Sequence, residues 1–371
     1  MIIGIPQEIK SDEYRVGAVP AGVRILTANG HKVLVQSGAG EGSAIPDSEY
    51  EQAGATIMGD AAEVWGDAEM VMKVKEPQPS EFDLITDGKL IYAYLHLAPA
   101  YDLTKALLDR KAICVAYETM QLRDGSLPLL TPMSEVAGRM AVQIGAHFLE
   151  KTQGGRGVLL GGVPGVKRGQ VTIIGAGTVG RAAAKMAMGL GADVNLIDID
   201  QRRLFYMDDI FGTSVTTLMS NYDNIGESVT GSHLVIGSVL IPGAKAPRLV
   251  DREMIRAMKA GTVVVDVAID QGGCMETAKP TTHGDPTYLV DEVIHYCVPN
   301  MPGVVARTST FALTNVTLPY ALKLANLGFS EAVRSDETLA KGVNLLNGHV
   351  TYEHVATAVD RQYTPLSELL G

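Results

Sequence analysis

The sequence predicts an α/β protein made of two Rossmann-like domains, each a mostly parallel sheet flanked by helices, with a cleft between them. Three observations predict this fold class. Short apolar, strand-like runs alternate with helical patterns in both halves of the chain, which is typical of parallel sheets covered on both faces. A glycine-rich stretch at 154–170 separates the two series. The length of 371 residues suggests two domains rather than one.

In the first half the apolar runs predict five strands, and helical patterns lie between them. The helix expected over Pro20–Asn29 has proline near its start and Gly30 just after its end, as helices commonly do. The predicted strands are 1–6, 31–36, 68–75, 89–96 and 112–118.

The second half repeats the pattern after a long helix over 133–152. A second long helix is expected at 308–328, bent or interrupted by Pro319 because proline removes a helical hydrogen bond. The first domain is then discontinuous, 1–128 plus 307–371 with short helices at its end, and the second domain is 129–306. The predicted strands are 171–175, 193–198, 214–220, 233–239 and 261–268.

Composition excludes several function classes. The net charge is −11 and no Lys/Arg-rich run stands out, so nucleic acid is not an expected partner. No apolar stretch approaches the ~18 residues of a bilayer span, and the apolar N-terminus soon reaches Glu8, as a first strand rather than a signal peptide would. The three cysteines lack CxxC spacing, which favours a reducing, cytoplasmic compartment. No metal is expected, since no H-E-x-x-H or Cys/His cluster occurs.

Glycines 175, 177 and 180 form G-x-G-x-x-G between a predicted strand and a predicted helix. This context indicates a dinucleotide site, with the pyrophosphate at the helix N-terminus. Asp198 ends the next strand about 18 residues later, where a carboxylate receives a ribose hydroxyl and repels a 2′-phosphate. We therefore expect NAD rather than NADP; the alternative is a glycine turn used only for packing. A similar run at 37–47 contains Pro46 and is interpreted as a loop.

Three titratable residues lie at the ends of predicted strands: Lys75 and His96 are the last residues of theirs, and Asp270 follows the strand over 261–268. Ligands of open α/β sheets bind outside the carboxyl ends of the strands, so we expect the three to face each other across the cleft. Each also has a simpler interpretation, as a solvated lysine, a core histidine and an aspartate that caps a turn. His96 is the best candidate for proton transfer, because the ordinary pKa of imidazole lies near neutral pH.

The chain resembles the L-alanine dehydrogenase family along essentially its whole length. The resemblance rests on "PQEIKSDEYRVGAVP", "VKVKEP", "YLHLAP", "TPMSEVAGRMA", "LLGGVPGV", "VVVDVAIDQGG" and "PNMPGVVARTSTFALTN". Shorter pieces are shared with the NAD-binding component of proton-translocating transhydrogenase, which is the alternative function. The resemblance implies reversible NAD-dependent deamination of L-alanine to pyruvate and ammonium, in alanine catabolism, by a homohexamer.

The resemblance also implies roles for individual residues. Arg15 and Lys75 would hold the substrate, and His96 and Asp270 would act as acid–base residues. The 129–306 domain would bind NAD and the discontinuous domain the substrate. Ser134 at the start of the long helix has the alternative role of a helix N-cap. The implied cofactor-binding positions, with the three glycines, are Ser134, Thr178, Val179, Asp198, Arg203, Ser220, Val239, Leu240, Val267, Ala268, Ile269, Asp270, Val298, Pro299, Asn300 and Met301.

Overall fold

The structure is a computed structural model that describes residues 1–239 and 246–370. The chain divides into two compact units. The first unit is Met1–Met133 together with the chain from Gly303 onward, and the second unit is Ser134–Pro302. The divisions fall at 133/134 and 302/303, a few residues from the 128/129 and 306/307 expected from the sequence.

The N-terminal part of the first unit alternates strands and helices. Helix α1 begins at Pro20, the position where a missing N–H costs nothing, and ends one residue before its expected end. The elements are β1 (Ile2–Ile5), α1 (Pro20–Ala28), β2 (Lys32–Gln36), α2 (Asp47–Gln52), β3 (Thr56–Met58), α3 (Ala61–Asp67), β4 (Met70–Met72), β5 (Leu90–Ala93), α4 (Tyr101–Asp109) and β6 (Ile113–Ala116).

The second unit follows the same alternation. Its first helix starts in the first unit and crosses the division between them. The elements are α5 (Thr131–Phe148), β7 (Gln170–Ile174), α6 (Thr178–Gly189), β8 (Asp193–Asp198), α7 (Gln201–Phe211), β9 (Val215–Met219), α8 (Tyr222–Gly231), β10 (Leu234–Gly237), α9 (Arg252–Ala257), β11 (Val263–Asp266), β12 (Thr287–Val290) and β13 (Val293–Tyr296).

The C-terminal part of the chain returns to the first unit. It contains a strand pair that the sequence did not predict, since only short helices were expected there. Its long helix contains Pro319 and continues through it without interruption. The elements are α10 (Ala306–Leu327), α11 (Phe329–Ser335), α12 (Glu337–Gly342), β14 (Val343–Leu346), β15 (His349–Val350), α13 (Glu353–Ala358) and α14 (Leu366–Leu370).

Both sheets have the same doubly wound order among the described residues. The first sheet runs β15-β14-β6-β5-β4-β1-β2-β3, and the second runs β12-β13-β11-β10-β7-β8-β9. All pairings are parallel except those of β14, β15 and β12. In each sheet the chain order reverses beside the first strand, between β1 and β4 and between β7 and β10. Such a reversal opens a crevice at the carboxyl ends of the strands, and these two positions decide where each unit can bind a ligand.

Apolar strands and helix faces form the core of each unit. A buried cluster in the first unit covers the β4–β6 side of its sheet and includes Trp65, Ile91 and Leu107. A cluster in the second unit includes Val235 and Val264. The near-continuous apolar runs of these strands are what a sheet covered on both faces requires.

Helices α5 and α6 of the second unit pack at very short range. A Cβ atom on Gly138 of α5 would lie 2.2 Å from the carbonyl oxygen of Val179 in α6. Only a glycine leaves room for this approach, since no real Cβ contact is so short. The contact fixes the start of α6, which carries the glycine motif.

Gly138→Ala should therefore destabilise the second unit by about 1–3 kcal/mol, because the added methyl group overpacks a backbone contact. Gly189→Ala is the matched control, since a Cβ there has nothing within 4 Å and alanine is the better helix former. Urea unfolding followed by circular dichroism measures both. Equal unfolding midpoints for the two variants would contradict the packing argument.

Candidate functional site

The candidate site of the first unit lies where β1, β4, β5 and β6 end. Strands β4 and β5 pair with Met72 opposite Tyr92, and the pairing continues past the strands through hydrogen bonds from Lys73 N to Tyr92 O and from Tyr94 N to Val74 O. Continued register puts Glu76 opposite His96. The strands themselves end at Met72 and Ala93, so Lys75 and His96 lie in the loops beyond them, not at the strand ends that the sequence predicted.

Arg15 is buried, with 2% of its surface exposed, and is held by a carboxylate two residues away. Its Nε and Nη2 donate to the two oxygens of Glu13 at 2.6 and 2.5 Å, and its Nη1 contacts the sulfur of Met133 at 3.1 Å. Burial lowers the pKa of Arg15, but the hydrogen bonds and charge of Glu13 outweigh it and leave the pKa raised. Arg15 thus makes with Glu13 the two-pronged contact that a guanidinium can form with a carboxylate.

Lys75 differs from Arg15 in having no hydrogen-bonded or ion-paired partner for its ammonium among the described residues. Burial and the positive charge of Arg15 lower its pKa. The positive charges of the two side chains therefore repel one another, and the carboxylates of Glu13 and Glu76 offset this repulsion at Lys75 only in part, because its pKa stays lowered. Such a site favours an anionic ligand, since a negative charge would relieve the repulsion.

A buried ion cluster lies beneath Lys75. Lys73 has no exposed surface, and its Nζ lies 3.2 Å from Glu8 and 3.0 Å from Glu81. Burial lowers the pKa of Lys73, but the two carboxylates outweigh it and raise the pKa. Glu8 also accepts the N–H of Val74 at 2.5 Å and that of Lys75 at 3.3 Å. The cluster therefore fixes the backbone that presents Lys75.

His96 is not a core histidine: 45% of its side chain is exposed. Its backbone has φ = +48°, the left-handed region that a residue with a side chain seldom adopts. Its Nδ1 lies 3.3 Å from Glu76, which also pairs with Lys10. Burial raises the pKa of Glu76, but the hydrogen bonds from His96 and Lys10 outweigh it and lower the pKa to about 2. An ionised Glu76 can only accept a hydrogen bond, so this contact favours the ring tautomer that carries its hydrogen on Nδ1.

Four glutamates of this site were missed from the sequence: Glu8, Glu13, Glu76 and Glu118. Glu118 follows β6 and accepts the backbone N–H groups of Leu95 and His96. Glutamates are usually solvated, so none stood out singly. The available signal was the strand register, because parallel pairing aligns 76 with 96 and 95 with 118.

The candidate site of the second unit is the turn between β7 and α6. Gly175 has φ = +105°, and a Cβ on Gly180 would lie 1.7 Å from the carbonyl oxygen of Gly175. A Cβ on Gly177 would meet nothing within 4 Å. Gly175 and Gly180 thus close the turn, while Gly177 leaves its outer side open to a ligand.

The N-terminus of α6 has the features of a phosphate site. Gly177 is its N-cap and no side chain caps it, so the N–H groups of Thr178, Val179 and Gly180 lack a side-chain cap acceptor. First-turn N–H groups and the helix dipole attract an anion. The turn is held from β10, because the hydroxyl of Ser238 donates to Gly175 O at 2.9 Å. These residues fit the pyrophosphate of a dinucleotide.

Asp198 ends β8 beside this turn and is only 6% exposed. Its Oδ2 accepts the N–H of Ala176 at 2.6 Å, and its Oδ1 accepts that of Asp200 at 2.8 Å. Arg203 of α7 is half exposed, with its Nη1 3.6 Å from the carboxylate. The carboxylate therefore both holds the glycine turn and stands at its edge, where a ribose hydroxyl can donate to it.

Asp270 lies in a 3-10 turn, Val267–Gln271, that follows β11. Asp270 is exposed, while Ala268 and Ile269 are buried. The turn is organised by Asp266, which the sequence did not single out: its buried carboxyl accepts the N–H groups of Ala268, Cys274 and Met275 at 2.8 to 3.1 Å. Burial raises the pKa of Asp266 to about 6.

The remaining predicted cofactor residues are spread over other loops of the second unit. Ser134 is not an N-cap, because α5 begins at Thr131 and Ser134 lies in its first turn. Ser220 follows β9 and its N–H donates to Asp198 O. Val239 is half-buried, and Leu240 falls outside the described residues. In the 298–301 segment Val298 and Met301 are buried, and Asn300 has φ = +57°.

No group of three or more metal-ligating side chains occurs within residues 1–239 and 246–370. Over the same ranges, no helix is both long and apolar enough to cross a membrane. All three cysteines are free and buried.

Two family models match the chain. The N-terminal domain of the alanine dehydrogenase/PNT family matches residues 4–137, and the C-terminal domain of the same family matches residues 141–353. The alanine dehydrogenase of Methanococcus maripaludis is 59% identical over 372 residues, which cover 100% of both chains.

Solved structures give the same family. An L-alanine dehydrogenase is 51% identical, with a TM-score of 0.95 over 97% of this chain and 99% of the other. The transhydrogenase from Sinorhizobium meliloti is 27% identical, with a TM-score of 0.81 over 95% of this chain and 99% of the other.

Glu76→Gln should destabilise the protein at neutral pH and flatten its acid unfolding. The folded pKa of Glu76 is about 2 against an ordinary 4.5. The stabilisation that ionised Glu76 gives to the folded state is therefore complete above pH 4.5 and is lost as the pH falls towards 2. Urea unfolding from neutral pH down to about pH 3 measures the difference from wild type, with exposed Glu51→Gln as control. A difference that does not shrink with falling pH would rule out this linkage.

Proposed function

We propose, from the premise that the chain belongs to the alanine dehydrogenase/PNT family, that it catalyses the reversible NAD-dependent oxidative deamination of L-alanine to pyruvate and ammonium. The observation that carries the proposal is the ammonium of Lys75, held beside Arg15 with no partner of its own among the described residues. A small carboxylate is the ligand that completes this arrangement. The likeness to alanine dehydrogenases at 51–59% identity supports the same substrate.

NAD is the proposed cofactor, bound by the second unit. When bound, it supplies a nicotinamide ring that accepts hydride. The pyrophosphate would be held by the N–H groups at the start of α6, and a ribose hydroxyl by Asp198. The fit of Gly177, whose outer side is open, supports this assignment. The proposed cofactor set also includes Ser134, Arg203, Ser220, Val239, Leu240 and the 267–270 and 298–301 segments.

Arg15 and Lys75 are proposed to hold the substrate. Glu13 fixes the Nε/Nη2 edge of Arg15, which leaves the guanidinium oriented before substrate arrives. Lys75 can then donate to the carboxylate, or to the carbonyl oxygen of pyruvate, and draw electron density from the α-carbon. Glu8 holds the backbone from which the side chain of Lys75 extends, and the ammonium at its end has three N–H donors for a ligand.

His96 is proposed to move the protons of the reaction at Nε2. L-Alanine must lose an amine proton before its α-carbon can release hydride, and water that adds to the resulting imine must lose one too. Glu76 holds Nδ1, so Nε2 can take the amine proton and release it to solvent, then take the proton of the added water and return that one to the departing ammonia. Asp270, exposed on its turn, is proposed to orient the water or the amine.

The alternative, an NAD-binding component of a transhydrogenase, has less support. The transhydrogenase match is 27% identical, against 51% for the L-alanine dehydrogenase structure and 59% for the Methanococcus relative. A hydride exchange between two nucleotides would also not need the cation pair of Arg15 and Lys75.

We extend the proposal to a cytoplasmic homohexamer that acts in alanine catabolism. Three free, buried thiols agree with a reducing compartment. Exposed apolar residues that cluster in one loop, Leu159, Val163 and Val166, support contact with another copy of the chain. Sedimentation of the purified protein measures the assembly.

Purified protein mixed with NAD and L-alanine should produce NADH, followed by its absorbance, while His96→Ala should be slower by several orders of magnitude, roughly 10³-fold, with NAD affinity unchanged. Glycine and L-serine serve as substrate controls. No alanine-dependent NADH from wild type would remove the proposed function, and a His96→Ala variant that keeps most of the rate would remove His96 from the mechanism.

Asp198→Asn should shift the preference from NAD towards NADP by about 10-fold or more in kcat/KM, a change of ~1.4 kcal/mol. The amide keeps an acceptor for the glycine turn but no longer repels a 2′-phosphate, and Arg203 is released to pair with it. Asp193→Asn, at the other end of β8, is the control. An unchanged NAD/NADP ratio would show that another group makes the distinction.

A further inference from the structure

We infer that Glu118 is a positioning residue that anchors the chain entering His96, helps to keep the left-handed backbone of that residue and thereby aims the imidazole. The inference rests on the proposed function of His96, and it adds to the site a residue from the turn that follows β6. It makes Glu118 act through His96 and not on the substrate itself.

The contacts of Glu118 are with backbone N–H groups of the histidine loop. Its Oε1 accepts the N–H of His96 at 2.7 Å and that of Leu95 at 3.1 Å, and its Oε2 lies 3.2 Å from the same Leu95 N–H. Bonds to an ionised acceptor are stronger than neutral ones. The carboxylate thus fastens two consecutive peptide groups at the point where the chain leaves β5.

Strand register delivers Glu118 to this position. Strands β5 and β6 pair up to Ala93 opposite Ala116, and the chain after β6 forms a 3-10 turn, Tyr117–Thr119. Continued register brings 118 opposite 95. The same parallel sheet that gathers Lys75 and His96 therefore also supplies a carboxylate at the height of the histidine loop.

The conformation of His96 explains why a clamp is needed. At φ = +48° its Cβ is crowded by its own backbone, so the residue relaxes towards the extended region unless its surroundings prevent it. Such relaxation changes the direction of the Cα–Cβ bond and moves the imidazole away. A change of φ at His96 leaves its own N–H in place, so it is prevented only where the chain is anchored on both sides of the residue. Glu118 anchors the peptide groups before His96 through the N–H groups of Leu95 and His96. The carbonyl oxygen of Leu97, just beyond His96, accepts the hydroxyl of Thr104 at 3.0 Å.

Two carboxylates therefore share the positioning of His96. Glu76, from the β4 side, contacts the ring at Nδ1, and Glu118, from the β6 side, contacts the backbone. Ring contact alone leaves the backbone free to change, and backbone contact alone leaves the ring free to turn. Together they determine where Nε2 lies.

The test is Glu118→Gln, which keeps the size of the side chain but weakens the acceptor and turns an N–H₂ towards the backbone donors. We expect kcat to fall at least ~10-fold, because a misplaced catalytic group loses its alignment, with the KM for L-alanine and the Kd for NADH within about 2-fold of wild type. Glu63→Gln is the matched control: Glu63 also accepts a backbone N–H, that of Gly59, in the same unit. A kcat equal to that of the control would overturn the inference.

A double-mutant cycle with His96→Ala separates positioning from general stability. If Glu118 acts through His96, Glu118→Gln should leave the residual rate of His96→Ala unchanged. A fall by the same factor in both backgrounds would overturn the inference.

A spectroscopic readout is independent of alanine oxidation. Long-range ¹H–¹⁵N spectra of the histidine rings, with His96 assigned from His96→Ala, should show the His96 signals shifted by Glu118→Gln and unshifted by Glu63→Gln. Unmoved His96 signals would overturn the inference. Failure of the wild-type protein to oxidise alanine would instead contradict the proposed function, and the spectra could still be compared.

Discussion

The compensation of buried positive charge by carboxylates is the constraint on which the first unit depends. Lys73 and Arg15 lie inside the protein, where an unpaired cation is prohibitively unfavourable, and Glu8, Glu81 and Glu13 neutralise them. The same carboxylates hold the backbone of Val74 and Lys75. Removal of one partner from such a cluster leaves an uncompensated buried charge. Loss of any one of these carboxylates would therefore destabilise the fold as well as disturb the site.

The second unit depends on close packing of backbone segments and not on the compensation of buried charge. Gly180 touches the backbone of Gly175, and Gly138 touches that of Val179, so β7, α6 and α5 meet without intervening side chains. Asp198 completes the arrangement by accepting the N–H of Ala176. Its carboxylate thus has a structural partner as well as a proposed ligand, which ties the choice of nucleotide to the geometry of the turn.

Sequence patterns predicted the fold class and the principal strands, because apolar periodicity and glycine spacing are local signals. They placed the ends of β4 and β5 too late, because 73–75 alternates like a strand: β4 ends at Met72, although backbone hydrogen bonds continue the pairing as far as Val74. The β14–β15 pair was missed since its two-residue second strand carries almost no pattern.

The sequence predicted the unusual residues of the candidate site, but not the carboxylates that hold them in place. His96 and the glycine motif stand out from their surroundings, whereas Glu76 and Glu118 gain meaning only from cross-strand register. The left-handed backbone of His96 has no sequence signal, since glycine or asparagine would normally mark it.

The pairing of Arg15 with Glu13 bears on how the recess accommodates acids of different shape. Glu13 holds the Nε and Nη2 edge of the guanidinium, and both side chains are buried. Displacement of the guanidinium would separate a desolvated ion pair, which is costly. An acid that enters the recess must therefore adapt to a cation that cannot follow it.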